Sequence, residues 1–237
     1  MKFDDGTERD RSPGSITTRF NAIIFDFDGV LIESEAIGNR QIAAYLTGIG
    51  HPTTTEQSMA NFMGLAGADF IGAVEAWIGR TLPDDFHTAR KAEDARVMAA
   101  GIDAVAGAVG FVRGLPADLP VAIASSSSTA WIARHLDHIG LRDRFGTMIF
   151  SGREHVTRGK PAPDLYLHAA AALGVDIAAS AIIEDSPVGA TGAVASGGHV
   201  IGFVGGSHCA PDHADRLRAI GVHDLAGSFD EIALLVA

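Results

Sequence analysis

The stretch NAIIFDFDGVLIESE, residues 21–35, carries the pattern on which the fold depends. Its apolar run AIIF, at 22–25, is typical of a short buried strand. Two carboxylates, Asp26 and Asp28, follow this run at once, with Gly29 directly behind them. The stretch therefore predicts a buried strand that ends in two acidic side chains, and their purpose has to be sought in the rest of the chain.

Similar apolar runs recur further along and are also predicted to be buried strands. They are PVAIASSSS from 120, TMIF from 147, SAIIEDS from 180 and HVIGFV from 199. Between the later runs lie helical patterns such as TAWIARHLDHIG and PDLYLHAAAALG, each closing on a glycine that suits the left-handed position past a helix end. Alternating strands and helices predict an α/β fold, a doubly wound parallel sheet with helices on both faces.

The interval between the first two strands is too long for a single crossover. From about residue 36 to 106 it carries three or four helical patterns and no convincing strand. We therefore expect a helical cap domain at 36–106, inserted into a core made of 21–35 and 107–237. Residues 1–20 have few apolar groups and are predicted to be a flexible N-terminal extension.

Composition restricts the partners. The formal net charge of −11 argues against a nucleic-acid or anionic-membrane binder, because phosphate backbones are held by clustered Lys and Arg. No apolar stretch approaches the roughly 20 residues that span a bilayer, and the single cysteine, Cys209, excludes an internal disulfide. A small-molecule partner and a cytoplasmic location are the expectations, while the oligomeric state is not predicted.

Polar residues follow several of the predicted strands. Ligands of an open parallel sheet bind beyond the carboxyl ends of its strands, so these residues are candidates for a site. They are Asp26 and Asp28 after the first strand, Ser125 to Ser128 after the second, Glu184 and Asp185 after the fourth, and Lys160 before a helix. So many carboxylates would repel one another without a cation, and oxygen ligands of this kind suit Mg2+.

This ordered set of residues resembles the haloacid dehalogenase superfamily, in its branch of beta-phosphoglucomutase-like enzymes and sugar phosphatases. The resemblance runs from about residue 21 to the C-terminus and rests on four motifs: DFDGV, the serine that ends VAIAS, the lysine of GKPAPD, and IIEDS. It implies a doubly wound core with a helical cap inserted after the first motif. It also implies phosphoryl transfer through a phosphorylated aspartate.

Carried over to this chain, the resemblance gives each motif a role. Asp26 would be the nucleophile and Asp28 the general acid and base, while Ser125 and Lys160 would hold the phosphoryl group and balance its charge. The Mg2+ ligands would be Asp26, Asp28 through its backbone carbonyl, Glu184 and Asp185. The implied function is a Mg2+-dependent phosphatase acting on a small sugar or polyol phosphate.

Five further residues are expected to contact the substrate: Gly29, Ser34, Met63, Gly64 and Ser126. Met63 and Gly64 belong to the segment FMGLAGAD, where a cap would contact the leaving group. This segment is small and apolar, so broad activity toward modest sugar or polyol phosphates is expected.

Three alternatives remain at this stage. A sugar-phosphate mutase of the same branch would carry a histidine where this chain has Gly38, and a cationic cap loop for a second phosphate. A phosphonate-cleaving enzyme would need a cap lysine, and Lys91, the only lysine of the interval, is better interpreted as a surface residue. A phosphosugar-binding module without catalysis is the third.

Two loops are assigned no definite role. Arg153, His155 and Arg158 precede Lys160 and are interpreted as an exposed loop rather than as substrate contacts. In GGSHCAPDH, from 205, the residues His208, Cys209 and His213 invite a metal interpretation, but their spacing matches no structural zinc pattern.

Overall fold

A single parallel sheet organises the protein. The computed structural model describes residues 16, 18–62, 65 and 67–237. Within that part of the chain, six parallel strands pair in the order β3-β2-β1-β4-β5-β6. Their bounds are β1 Ala22–Phe25, β2 Val121–Ser125, β3 Ile149–Ser151, β4 Ser180–Glu184, β5 His199–Phe203 and β6 Asp224–Ala226. The five predicted strands are confirmed, and the short β6 was not predicted.

The sheet is covered on both faces, as the unbroken apolar strands predict. Alternate side chains of β1 enter opposite cores: Ile23 and Phe25 pack on one face, and Ile24 packs on the other. The first face is covered by α5 (Ala108–Gly114), α6 (Thr129–Ile139), α7 (Arg142–Phe145) and α11 (Phe229–Val236), and the second by α8 (Asp164–Leu173) and α9 (Pro187–Ser196). The predicted doubly wound α/β class is confirmed.

Local sequence signals mark several helix ends in the sheet region. Ser128 and Ser186 accept hydrogen bonds at the starts of α6 and α9, and Gly140 and Gly174 take left-handed φ at the ends of α6 and α8. The bounds are α5 Ala108–Gly114, α6 Thr129–Ile139, α7 Arg142–Phe145, α8 Asp164–Leu173, a 3-10 helix Ile177–Ala179, α9 Pro187–Ser196, α10 His213–Ile220 and α11 Phe229–Val236.

Among the described residues between β1 and α5 there are four helices: α1 Ser34–Gly48, α2 Thr55–Phe62, α3 Gly67–Ile78 and α4 Phe86–Ala100. The helices α1, α2 and α3 share a hydrophobic cluster of their own, built on Ile42, Leu46, Phe62 and Val74, and Phe86 of α4 stacks on Phe70 of α3. The chain enters and leaves this insertion side by side, since the amide of Glu33 donates to the carbonyl of Asp103 and that of Val105 to Leu31, each at 3.1 Å. The two connecting segments are therefore paired, and residues of the insertion line one cleft together with Asp26 and Ser125 at the strand ends.

The N-terminal segment is described only at residue 16 and from residue 18 onward. There, Ile16 and Phe20 pack against the core, and the amide of Ile16 donates to the carbonyl of Gly114 at 3.0 Å. The rest of the predicted flexible extension lies outside the described residues. In the described ranges, every helix is too short or too polar to cross a bilayer.

Candidate active site

The carboxyl ends of three adjacent strands bring the predicted residues together. β1 lies between β2 and β4 in the sheet, and the pairs Phe25 with Ile123 and Phe25 with Ile183 put the three strand ends in register. Asp26, Ser125 and Glu184 therefore emerge at one edge. Residues more than 90 positions apart in the sequence thus become neighbours at this edge.

Lys160 joins two of these strand ends. Its Nζ lies 2.5 Å from Asp26 Oδ1 and 2.6 Å from Glu184 Oε1. All three side chains are buried, with Lys160 only 4% exposed. Burial by itself lowers the pKa of Lys160, but the two carboxylates outweigh that effect and raise it well above its usual value. The lysine is therefore held as an ammonium between the two acids.

One ammonium does not balance the acids around it. Oxygens of Asp26, Glu184 and Asp185 lie within 4.8 Å of one another, the one such group of three among the described residues. Burial raises the pKa of Asp26 well above its ordinary value against the opposing effect of Lys160, and the neighbouring carboxylates raise it further. Burial also raises the pKa of Asp185. This excess of buried negative charge is what a divalent cation would neutralise.

Asp185 has an oxygen free for such a cation. Its Oδ2 lies 2.7 Å from His208 Nε2, whereas its Oδ1 is buried without a hydrogen-bond partner among the described residues. A buried carboxylate oxygen without a partner is costly. The donor set of hard carboxylate oxygens and the unpartnered Oδ1 together fit Mg2+.

Glu184 is held from several sides. Tyr166 donates to its Oε1 at 2.8 Å, and the amide and hydroxyl of Ser186 donate to its Oε2 at 2.8 and 3.0 Å. A Cβ at Gly189 would lie 1.6 Å from Oε1, so only glycine fits beside this carboxylate. The orientation of Glu184 is therefore determined by the fold.

The side chain of Asp28 is not part of the group formed by Asp26, Glu184 and Asp185 and has hydrogen-bond partners of its own. Ser127 and Ser125 donate to its Oδ2 at 2.6 and 3.2 Å, and Trp131 Nε1 donates to its Oδ1 at 3.1 Å. The sequence interpretation did not assign roles to Ser127 or Trp131. The apolar spacing of TAWIARHL places Trp131 on α6, and nothing in that pattern shows that its N–H reaches an aspartate.

Three of the other predicted substrate contacts lie in or near the site. Gly29 has φ +81° and packs on Asp185; a Cβ there would be 2.1 Å from Oδ2 of that aspartate. The hydroxyl of Ser34 is buried without a partner among the described residues, and both Ser34 and the exposed Ser126 line the cleft. Met63 and Gly64 lie outside the described residues, so their assignment stays a prediction.

The 205–213 segment, which follows β5, contacts the site directly. His208 reaches the side chain of Asp185, and His213 Nε2 lies 2.5 Å from the backbone carbonyl oxygen of the same aspartate. Burial lowers the pKa of His208, but its hydrogen bonds to Asp185 and Cys209 raise it to about 11. The sequence assigned this segment no definite role, and its motif spacing alone could not show the contact.

A cleft of about 830 Å3 opens above the carboxylates, between the sheet edge and the helical insertion. Burial raises the pKa of Glu35, one of its lining residues, to about 7, and the carboxylates of Asp185 and Asp28 contribute to this shift. Arginines also line the cleft: Arg90 from α4, Arg153 from the loop after β3, and Arg216 from α10. The apolar character expected from FMGLAGAD therefore describes only part of the lining.

The residues of the loop before Lys160 have different surroundings. Arg153 lines the cleft, while Arg158 forms an ion pair with Asp164 at 2.7 Å, and His155 Nδ1 lies 3.0 Å from the amide nitrogen of Ser151. Of these three loop residues, only Arg153 is placed to meet a ligand.

Comparison with known proteins identifies the family. A family model for haloacid dehalogenase-like hydrolases matches residues 20–197. The chain belongs to the haloacid dehalogenase-like hydrolases. It is therefore an enzyme of the hydrolase class, and the resemblance inferred from its four motifs is confirmed.

Individual members of this hydrolase family resemble the chain over most of their length. The 6-phosphogluconate phosphatase of Escherichia coli is 27% identical over 195 residues, covering 82% of this chain and 87% of that protein. A haloacid dehalogenase-like protein of Agrobacterium tumefaciens has a solved structure that superposes with a TM-score of 0.83 at 33% identity, covering 92% of this chain and 97% of that one. A family hydrolase from Deinococcus radiodurans, solved with phosphate and sodium, gives 0.79 at 29% identity, with coverages of 93% and 99%.

Proposed function

We propose that this hydrolase is a Mg2+-dependent phosphatase that cleaves a small sugar or polyol phosphate through an aspartyl-phosphate on Asp26. One observation carries the proposal. A buried carboxylate, paired with a lysine at 2.5 Å, stands at the floor of a cleft with two further acids within 4.8 Å. Groups so arranged suit attack on a phosphoryl group, because charge on both partners has to be neutralised.

Each residue at the floor contributes a separate effect. Asp26, Asp185 and Glu184, with the backbone carbonyl of Asp28, would hold Mg2+, which when bound neutralises and orients the phosphoryl oxygens. Lys160 balances charge on the nucleophile from its buried position. Ser125, whose hydroxyl now donates to Asp28 at 3.2 Å, can instead donate to a phosphoryl oxygen.

The reaction then needs two displacements at phosphorus. A carboxylate oxygen of Asp26 forms a bond to phosphorus, the bond from phosphorus to the ester oxygen breaks, and Asp28 gives the leaving alkoxide its proton. Water next attacks the phosphorus of the aspartyl-phosphate and passes a proton to Asp28. The bond between phosphorus and the Asp26 oxygen breaks, so phosphate leaves and the Asp26 carboxylate is restored. Ser127 and Trp131 hold Asp28 between these steps by the hydrogen bonds they donate.

We propose a sugar or polyol phosphate as the substrate class. Relatives of this chain carry the names 6-phosphogluconate phosphatase, fructose-1-phosphate phosphatase and hexitol phosphatase B. Glu35 and Arg90, two residues of the insertion, line the side of the cleft that faces the core. From there a carboxyl and a guanidinium could bind the hydroxyl and acidic groups of a sugar or sugar-acid leaving group. A cytoplasmic location remains the prediction from the sequence.

The mutase alternative finds no support at Gly38, one of the two features that distinguish it. Gly38 lines the cleft, and a Cβ built there meets nothing within 4 Å, so the place is open space. A hydrolase also fits the family that matches the chain. The proposal is therefore hydrolysis, with isomerisation of a hexose phosphate as the outcome that would contradict it.

The test is phosphate release from a panel of sugar, polyol and sugar-acid phosphates, with Mg2+ and with EDTA. Asp26→Asn is the critical variant, and Asp118→Asn, at an exposed position, is the matched control. We expect Mg2+-dependent release that disappears with Asp26→Asn and persists in the control. Release that survives Asp26→Asn, or hexose phosphate isomerisation without release, contradicts the proposal. Tight binding of a sugar phosphate without any turnover would favour the binding module.

A further inference from the structure

The 205–213 segment contacts Asp185 at two points. His208 Nε2 lies 2.7 Å from Asp185 Oδ2, and His213 Nε2 lies 2.5 Å from the backbone oxygen of Asp185. Both imidazoles are buried, at 4% and 1% exposure. One loop thereby restrains the side chain and the main chain of the same carboxylate residue.

The space for His208 is built into the chain. A Cβ at Gly206 would lie 2.3 Å from His208 Cε1, and a Cβ at Gly29 would lie 2.9 Å from the same atom. Contacts under 3.0 Å would force the ring or the backbone to move. The absence of side chains at Gly29, three residues after Asp26, and at Gly206 therefore leaves the space that the His208 imidazole occupies.

The segment is also fixed beside the helical insertion. The hydroxyl of Ser207 donates to Glu33 Oε2 at 2.6 Å, next to the residue where α1 begins. His208 is thus held between the end of β4 and the connection to the insertion. Its position does not depend on the hydrogen bond to Asp185 alone.

The two oxygens of Asp185 differ as a result. Oδ2 accepts from His208, while Oδ1 is buried without a partner among the described residues. A carboxylate held at one oxygen presents the other in a single direction. A metal ligand oriented in this way by a hydrogen-bonded neighbour binds its ion more tightly, and losing such a neighbour typically weakens metal affinity 10–100-fold.

We infer that His208 is a positioning residue for the metal site: it donates to Asp185 Oδ2 and thereby aims Oδ1 at the divalent cation. The inference rests on the proposed function, in that Asp185 is there a Mg2+ ligand. We place His208 outside the ligand set, which among the described residues is the group Asp26, Glu184 and Asp185. Its effect on hydrolysis passes through the affinity of the site for Mg2+.

The test compares two residues of similar length. His208→Gln places a donor near the position of Nε2, whereas His208→Met fills similar space without a donor. Mg2+ affinity is measured by calorimetry on the full chain without substrate, and hydrolysis is followed against Mg2+ concentration. We expect His208→Met to weaken Mg2+ binding about 10–100-fold, His208→Gln to stay within about fivefold of the parent, and saturating Mg2+ to restore kcat in both.

A second variant covers the case in which His208→Met does not fold. Gly206→Ala keeps every polar group and displaces the ring, because its Cβ would lie 2.3 Å from His208 Cε1. It is expected to weaken Mg2+ binding as His208→Met does. Parental affinity in the folded variants overturns the inference, and so does equal weakening by His208→Gln and His208→Met.

The two proposals can fail separately. A parent protein that binds Mg2+ and hydrolyses phosphate esters, with His208 variants of unchanged affinity, refutes only the role of His208. A parent protein that binds no divalent cation refutes the Mg2+-dependent mechanism, and the inference about His208 falls with it.

Discussion

The lysine at the floor of the cleft supplies a quantitative test of the site. Lys160→Met removes the ammonium that lies 2.5 Å from Asp26 Oδ1 and 2.6 Å from Glu184 Oε1, and a methionine occupies similar volume. The lysine side chain is 4% exposed, so the ion pair it forms is a buried one. Removing one partner of a buried ion pair costs about 3–5 kcal/mol in free energy of unfolding.

The cost should depend on pH, with a definite sign. Burial raises the pKa of Asp26, and Lys160→Met removes the ammonium that opposes this effect. Asp26 then holds its proton more tightly in the folded state than in the unfolded chain, so stability falls as the pH rises above the unfolded pKa of about 4. We expect a loss of about 3–5 kcal/mol at pH 8 and of less than about 2 kcal/mol at pH 5, where protonation neutralises Asp26.

The assay is urea unfolding in EDTA at the two pH values, followed by circular dichroism. Lys91→Met is the matched control, because Lys91 is exposed on α4 and should change the free energy of unfolding by no more than about 0.5 kcal/mol. A loss for Lys160→Met that is equal at both pH values, or below about 1 kcal/mol at pH 8, refutes the reasoning.

Three other variants test separate contacts. Glu35→Gln removes a carboxyl whose pKa rises from 4.5 to about 7 on folding. One pKa unit corresponds to about 1.36 kcal/mol, so the substitution should raise the free energy of unfolding by up to about 3 kcal/mol at pH 8 without Mg2+. At pH 4, where the carboxyl is protonated in both states, the substitution should change almost nothing. Equal effects at both pH values would contradict this. Trp131→Phe removes the hydrogen bond to Asp28 and should lower kcat about 10–100-fold. The control Trp77→Phe lies in the insertion and should leave kcat within about twofold of the parent. Equal kcat values for the two variants would rule out a role of Trp131 in holding Asp28. Tyr166→Phe removes a donor to a buried carboxylate and should cost about 1–3 kcal/mol in thermal or urea unfolding, so a neutral result would count against that hydrogen bond.

The sequence by itself determined the sheet and the groups at its edge. Apolar runs such as AIIF and VAIAS are buried on both faces, which only a parallel sheet between two helical layers provides. Because parallel strands all end at the same edge, polar residues that follow them must meet there. Asp26, Ser125 and Glu184 could therefore be placed together before any coordinates were known, and the ordered motifs around them indicated the family.

Only the tertiary structure decided which side chains surround those groups. Trp131 reaches Asp28 from 103 positions away, and His208 reaches Asp185 from a loop whose spacing suggested no role. These contacts depend on the path of the loops and on the space that Gly206 leaves, neither of which follows a helical or strand period. Hydrophobic patterns encode which face of an element is buried, but a polar contact between two loops depends on distances of a few ångströms, and only the folded chain determines those.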